Sequence, residues 1–137
     1  NANFVPLKTS HANAEDGVLS CTENLQKMST PFDVLILGMG EDGHTASLFP
    51  CSAQIAQGLD ISNEKPLMKV EPKTAPHQRI TFSFAALKES KNVFLHLCGD
   101  NKKQVLDKAL STNDIFAMPI RAFLQGDDID TQVYWAK

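Results

Sequence analysis

Two short apolar runs in this chain each end in a glycine-bearing loop, and this constrains the fold more than any other feature of the sequence. Residues 32–37 run into Gly38, and residues 92–98 run into Gly99. Runs of this length closed by glycine read as strands rather than helices. Helical periodicity surrounds them. Residues 13–28 place Val18, Cys21, Leu25 and Met28 at three- and four-residue steps before Pro31 ends the segment. Beyond Gly99, Asp100 reads as an N-cap, and Val105, Leu106, Ala109 and Leu110 form the core face of the helix it opens. Strands alternating with helices predict an α/β fold, a mostly parallel sheet with helices on both faces. Ligands of such sheets sit beyond the carboxyl ends of the strands, so loops 38–44 and 99–102 are expected to face one crevice.

The rest of the chain fills in this outline. Residues 68–71 and 79–84 read as strands separated by a loop with Pro72 and Pro76, and a short helix follows at 85–88. Pro119 opens a short helix through Leu124, and residues 131–136 form a last strand. Residues 44–48 are expected to begin a short helix that Pro50 ends, residues 51–63 carry no firm pattern, and the run 32–37 reads as a buried strand. A chain of 137 residues suits one domain, 1–137. Its formal net charge of −3, mixed in sign, offers no basic stripe for nucleic acid. No apolar run approaches the length of a membrane span and no secretory pattern is present, so a soluble, cytoplasmic protein is expected. Cys21, Cys51 and Cys98 are odd in number and lack CxxC spacing, which argues against a disulfide framework and against a zinc site.

The loop Gly38-Met39-Gly40-Glu41-Asp42-Gly43-His44 satisfies GxGxxG literally. A dinucleotide reading fails on its neighbours. A pyrophosphate would meet Glu41 and Asp42, and no apolar strand ends in an acidic residue about twenty positions later, since Asp60 and Glu64 lie in a polar stretch. A plain reversing turn is the remaining alternative, against which stands a titratable His44 at the carboxyl end of a strand. Among the other histidines, His77 reads as a solvated loop residue, His96 as a packed, hydrogen-bonded strand residue, and His11 as uninformative.

The unbroken run Asp33-Val34-Leu35-Ile36-Leu37-Gly38-Met39-Gly40-Glu41-Asp42-Gly43-His44-Thr45-Ala46-Ser47-Leu48-Phe49-Pro50 closely resembles the signature of the 6-phosphogluconolactonases. Arg79-Ile80-Thr81-Phe82 and Gly99-Asp100-Asn101-Lys102 resemble that family's second and third signatures, and the ending, Pro119 then Val133-Tyr134-Trp135, is similar too. The resemblance runs from about Phe4 onward. Glucosamine-6-phosphate deaminases share the Gly-x-Gly-x-Asp-Gly-His core but continue Ile-Ala-Phe-Asn-Glu-Pro, whereas this chain continues Thr45-Ala46-Ser47-Leu48-Phe49-Pro50. Cys51 departs from the glycine usual after the proline.

The resemblance implies a Rossmann-like three-layer fold and hydrolysis of 6-phospho-D-glucono-1,5-lactone to 6-phosphogluconate in the oxidative pentose phosphate pathway, with no metal and no cofactor. It makes His44 the general base that activates water, a task suited to neutral imidazole near neutral pH. Asp42 is then either its orienting partner or a turn-forming Asx residue. Backbone N–H groups from Gly40 to Gly43 are candidates to stabilise the oxyanion. Arg79 resembles the family's phosphate-binding arginine and Lys102 its lysine, the latter placed where a helix N-terminus and a charge can grip one anion. A deaminase or isomerase of sugar phosphates and a non-catalytic phosphosugar-binding fragment are the alternatives. Proteins of this family also carry a substantial portion ahead of the point where this chain starts, including a Ser-Gly-Gly phosphate loop. The domain is therefore expected to be partial at its N-terminal side, nearly inactive alone, and prone to self-association through an uncovered sheet edge and face.

Overall fold

The computed structural model describes residues 2–137. Asn13 caps the first helix, α1 (Ala14–Leu25), by accepting from the Asp16 amide at 3.0 Å. There follow β1 (Leu35–Leu37), α2 (Ile55–Leu59), β2 (Leu67–Val70), β3 (Arg79–Phe82), α3 (Phe84–Lys88), β4 (Val93–Cys98), α4 (Asp100–Leu110), α5 (Arg121–Leu124) and β5 (Thr131–Ala136). The parallel sheet has the order β1-β4-β5, with Leu35 beside Val93 and Leu95 beside Val133. β2 and β3 stand apart as an antiparallel pair, Leu67 opposite Phe82 and Val70 opposite Arg79. The loop between them is too short for the crossover that a parallel pairing needs.

The α/β class with a parallel sheet therefore holds. Leu37, Val93, Leu95 and Leu97 point to one face of that sheet and pack with Leu59 of α2, Phe84 and Leu87 of α3, Ala109 of α4 and Phe123 of α5. Instead of covering the sheet, α1 packs on the hairpin through Cys21, Leu25 and Leu67. Among the described residues the helical cover thus lies on one face rather than both. On the other face Val34 is 54% and Ile36 70% exposed, and His96 and Cys98 are exposed as well. Residues 32–37 are accordingly not a fully buried strand, and His96 is not packed.

Three local expectations also change. Residues 44–48 form a tight turn instead of a helix, closed by an isolated bridge between Thr45 and Leu48, with Ala46 at φ 49°. The residue capping α4 is Gly99, at φ 92°, which puts Asp100 inside the first turn, where its carboxylate complements the helix dipole. Leu110 is 52% exposed, so the core face of α4 ends at Ala109. The other end of α4 is closed by Arg121, 4% exposed, whose Nε, Nη2 and Nη1 donate to the carbonyls of Ala109 (2.9 Å), Lys108 (3.0 Å) and Asp114 (2.9 Å). A cation at a helix C-terminus meets the negative end of the dipole, and here every guanidinium nitrogen has an acceptor.

Candidate active site

β1 and β4 lie side by side, so the loops at their carboxyl ends emerge together. Lys102, in the first turn of α4, donates from Nζ to the carbonyl of Met39 at 2.7 Å and joins them, as the crevice argument requires. Loop 38–44 is tied down from several sides. Met39 is buried in the core, the Thr45 hydroxyl donates to the Gly38 carbonyl at 2.8 Å, and the Ile120 amide donates to the Gly43 carbonyl at 2.9 Å. Gly43 sits at φ 77° against Met118, where a side chain would be both strained and obstructed.

Within this loop Asp42 Oδ1 lies 2.6 Å from His44 Nδ1 and accepts from the His44 backbone amide at 3.1 Å. The aspartate is at once a turn former and a partner of the ring. Burial pushes the Asp42 carboxyl up, but the hydrogen bonds from the His44 ring and amide outweigh it and hold the group below the usual carboxylate range. An ionised carboxylate only accepts, so Nδ1 carries a proton, and in the neutral ring the lone pair is then on Nε2. That is the tautomer a base needs. The His44 side chain keeps 29% of its surface exposed, open to a small molecule.

Gly40 seats the ring. A Cβ there would overlap Nδ1 and Cε1 of His44 and stand 2.8 Å from Asp42 Oδ1. The Gly40 amide donates to the His44 carbonyl at 2.8 Å and the Gly43 amide to the Gly40 carbonyl at 3.0 Å. Of the four amides proposed as oxyanion donors, those of Gly40 and Gly43 are therefore bonded within the loop itself.

Arg79 shares a face of β3 with Thr81, whose hydroxyl accepts from the Ser47 amide at 3.1 Å, three residues past His44. Its guanidinium turns back to the His77 carbonyl, Nη1 to O 3.1 Å, and borders a cleft of about 580 Å³ with Lys8, His11, Asn13, His77 and Gln78. No residue of loop 38–44 lines that cleft. The structure thus brings His44, Asp42, Gly40 and Lys102 together and places Arg79 one strand face away, without direct contact. Sequence reasoning passed over Phe49, whose ring stacks on that of His44 with centroids 4.1 Å apart and planes at 24°. Its signal was the shortness of the turn between the two. Among the described residues no three His, Cys, Asp or Glu side chains gather where a metal could sit.

The family model for glucosamine-6-phosphate isomerases and 6-phosphogluconolactonases matches residues 1–135. The chain belongs to this family. A 6-phosphogluconolactonase of Rhizobium meliloti is 37% identical over 98% of this chain and 58% of its own length. One from Pseudomonas putida is 39% identical over 98% of this chain and 54% of its own. The crystal structure of a 6-phosphogluconolactonase from Shewanella baltica superposes with a TM-score of 0.90 at 42% identity, over 96% of this chain and 55% of that one. The chain spans a little over half the length of these relatives. Among the described residues no helix is long and apolar enough to cross a membrane.

Proposed function

We propose that this chain carries the base-bearing part of a 6-phosphogluconolactonase. The observation that carries the reading is the Asp42–His44 pair, 2.6 Å apart at the carboxyl end of β1. In the proposed reaction a water molecule attacks C1 of 6-phospho-D-glucono-1,5-lactone while Nε2 of His44 takes its proton. The tetrahedral intermediate then expels the ring oxygen, which receives that proton from the imidazolium, and the product is open-chain 6-phosphogluconate. Asp42 stabilises the imidazolium between the two steps. No metal or organic cofactor is needed, because both proton transfers run through one side chain.

Lys102 keeps two further N–H donors beyond the one given to Met39, and it is proposed to meet the phosphate together with Arg79, which borders a separate cleft. A substrate so charged stays inside the cell that makes it, which accords with a cytoplasmic enzyme. The exposed Val34 and Ile36 support self-association of this chain when it stands alone. The test is His44→Asn in the natural protein, assayed on freshly generated lactone with spontaneous hydrolysis subtracted. Turnover is expected to fall at least roughly a hundredfold with KM nearly unchanged. Near-normal turnover would remove His44 from the mechanism, and ammonia release from an amino sugar phosphate would assign the protein to the deaminase branch.

A further inference from the structure

We propose that Phe49 is a positioning residue for His44, holding the imidazole plane so that the bond to Asp42 persists and Nε2 presents one direction to the substrate. The inference rests on the reading of His44 as the base. The Asp42 hydrogen bond fixes one ring atom, and a ring held at one atom still swings about that bond, because the terminal torsion of histidine is broad. The stack removes that freedom. With centroids 4.1 Å apart and planes at 24°, the Phe49 ring lies flat on the imidazole, while the Gly40 backbone meets its Nδ1 and Cε1 edge.

Phe49 is itself immobile. It is 7% exposed and packs with Met68 and Val70 of β2, which are 5% and 1% exposed. The tight turn delivers it there. The Leu48 amide donates to the Thr45 carbonyl at 2.9 Å, Ala46 takes φ 49°, and the Ser47 amide is held by Thr81 of β3. The hairpin therefore acts as a rigid backing, and Phe49 passes that rigidity to the ring.

The experiment compares Phe49→Leu, Phe49→Met and Phe49→Tyr in the natural protein. The leucine and methionine variants should lower kcat about tenfold or more with KM within about twofold, while the tyrosine variant, which keeps the stack, stays within about threefold of the parent. In a His44→Asn background Phe49→Leu should change nothing further, since a residue acting only through His44 has nothing left to act on. The hydrogen-bonded Nδ1 proton of His44, observed by NMR, should be sharp in the parent and the tyrosine variant and broadened or absent in the leucine variant. Should Phe49→Leu fail to fold, Phe49→Met carries the same comparisons. Parental kcat with a sharp Nδ1 signal in either aliphatic variant overturns the proposal, as does an equal loss of rate in the His44→Asn background. If His44→Asn itself keeps normal turnover, the base reading fails, yet the NMR comparison still decides whether Phe49 orders the ring.

Discussion

Gly40→Ala tests the site's geometry with a single methyl group. Gly40 does not occupy the left-handed region, so alanine meets no backbone strain there, and the substitution acts through space alone. The added Cβ would overlap two atoms of the His44 ring, whereas non-bonded carbon contacts settle at roughly 3.5 Å or more. The ring must move by roughly 1 Å, which breaks its 2.6 Å bond to Asp42, and a misplacement of that size costs about a hundredfold in rate. Folding should weaken as well, because the ring that the Cβ displaces is stacked on the buried Phe49 and the bond to Asp42 that it breaks helps hold the loop. Gly38→Ala is the matched control, since a Cβ there has nothing within 4 Å. With in situ lactone as substrate, assayed well below the unfolding temperature, and thermal unfolding as companion, Gly40→Ala should lose about two orders of magnitude in kcat and also some Tm, and Gly38→Ala should lose neither. A Gly40→Ala enzyme within about threefold of the parent would show that the Asp42–His44 geometry does not govern the rate.

Asp42→Asn should destabilise the protein near neutral pH. Because the folded carboxyl lies below its ordinary value of about 3.9, that stabilisation is complete above the ordinary value and is lost as pH falls through the lower folded one. The Tm gap between parent and variant should therefore close in strong acid, and a gap independent of pH would refute the pairing. Arg79→Ala and Lys102→Ala should raise KM for the phosphorylated lactone far more than for unphosphorylated gluconolactone, and equal harm to both would remove these residues from phosphate binding. Arg121→Met should cost about 2–3 kcal/mol in denaturant unfolding. Three charge-assisted bonds are lost there, although Ser111 Oγ still donates to the Lys108 carbonyl and Gln125 Nε2 to that of Ala109.

The sequence made the elements legible wherever one physical cause dominated. β1, β4 and the meeting of loops 38–44 and 99–102 follow from apolar runs closed by glycine, and α1 follows from its periodicity and its Asn13 cap. His96 and Ile36 were misjudged because a run of β-formers does not say whether one face or two will be covered, which depends on elements far away in sequence. Residues 44–48 have helix-compatible composition, and only the bond from the Thr45 hydroxyl to Gly38 and the hold of Thr81 on Ser47 turn them into a tight loop. For the site, the spacing of Asp42 and His44 permitted the pairing without requiring it. The stacking of Phe49 depends on β2 and β3, which local pattern cannot position.

The order β1-β4-β5 also governs how the protein can be made. Asp33 and Lys91, which pair beside the start of β1 and β4, are 58 residues apart in the chain. At about 5–20 residues per second on the ribosome, β1 waits roughly 3–12 s for its partner. The hairpin β2–β3 can close in that interval, since its strands are neighbours. The backing for Phe49 is thus synthesised before the strand that brings loops 38–44 and 99–102 together, and throughout the delay the Leu35–Leu37 segment is without β4. Production should consequently depend on chaperone capacity and on the rate of translation between the two strands.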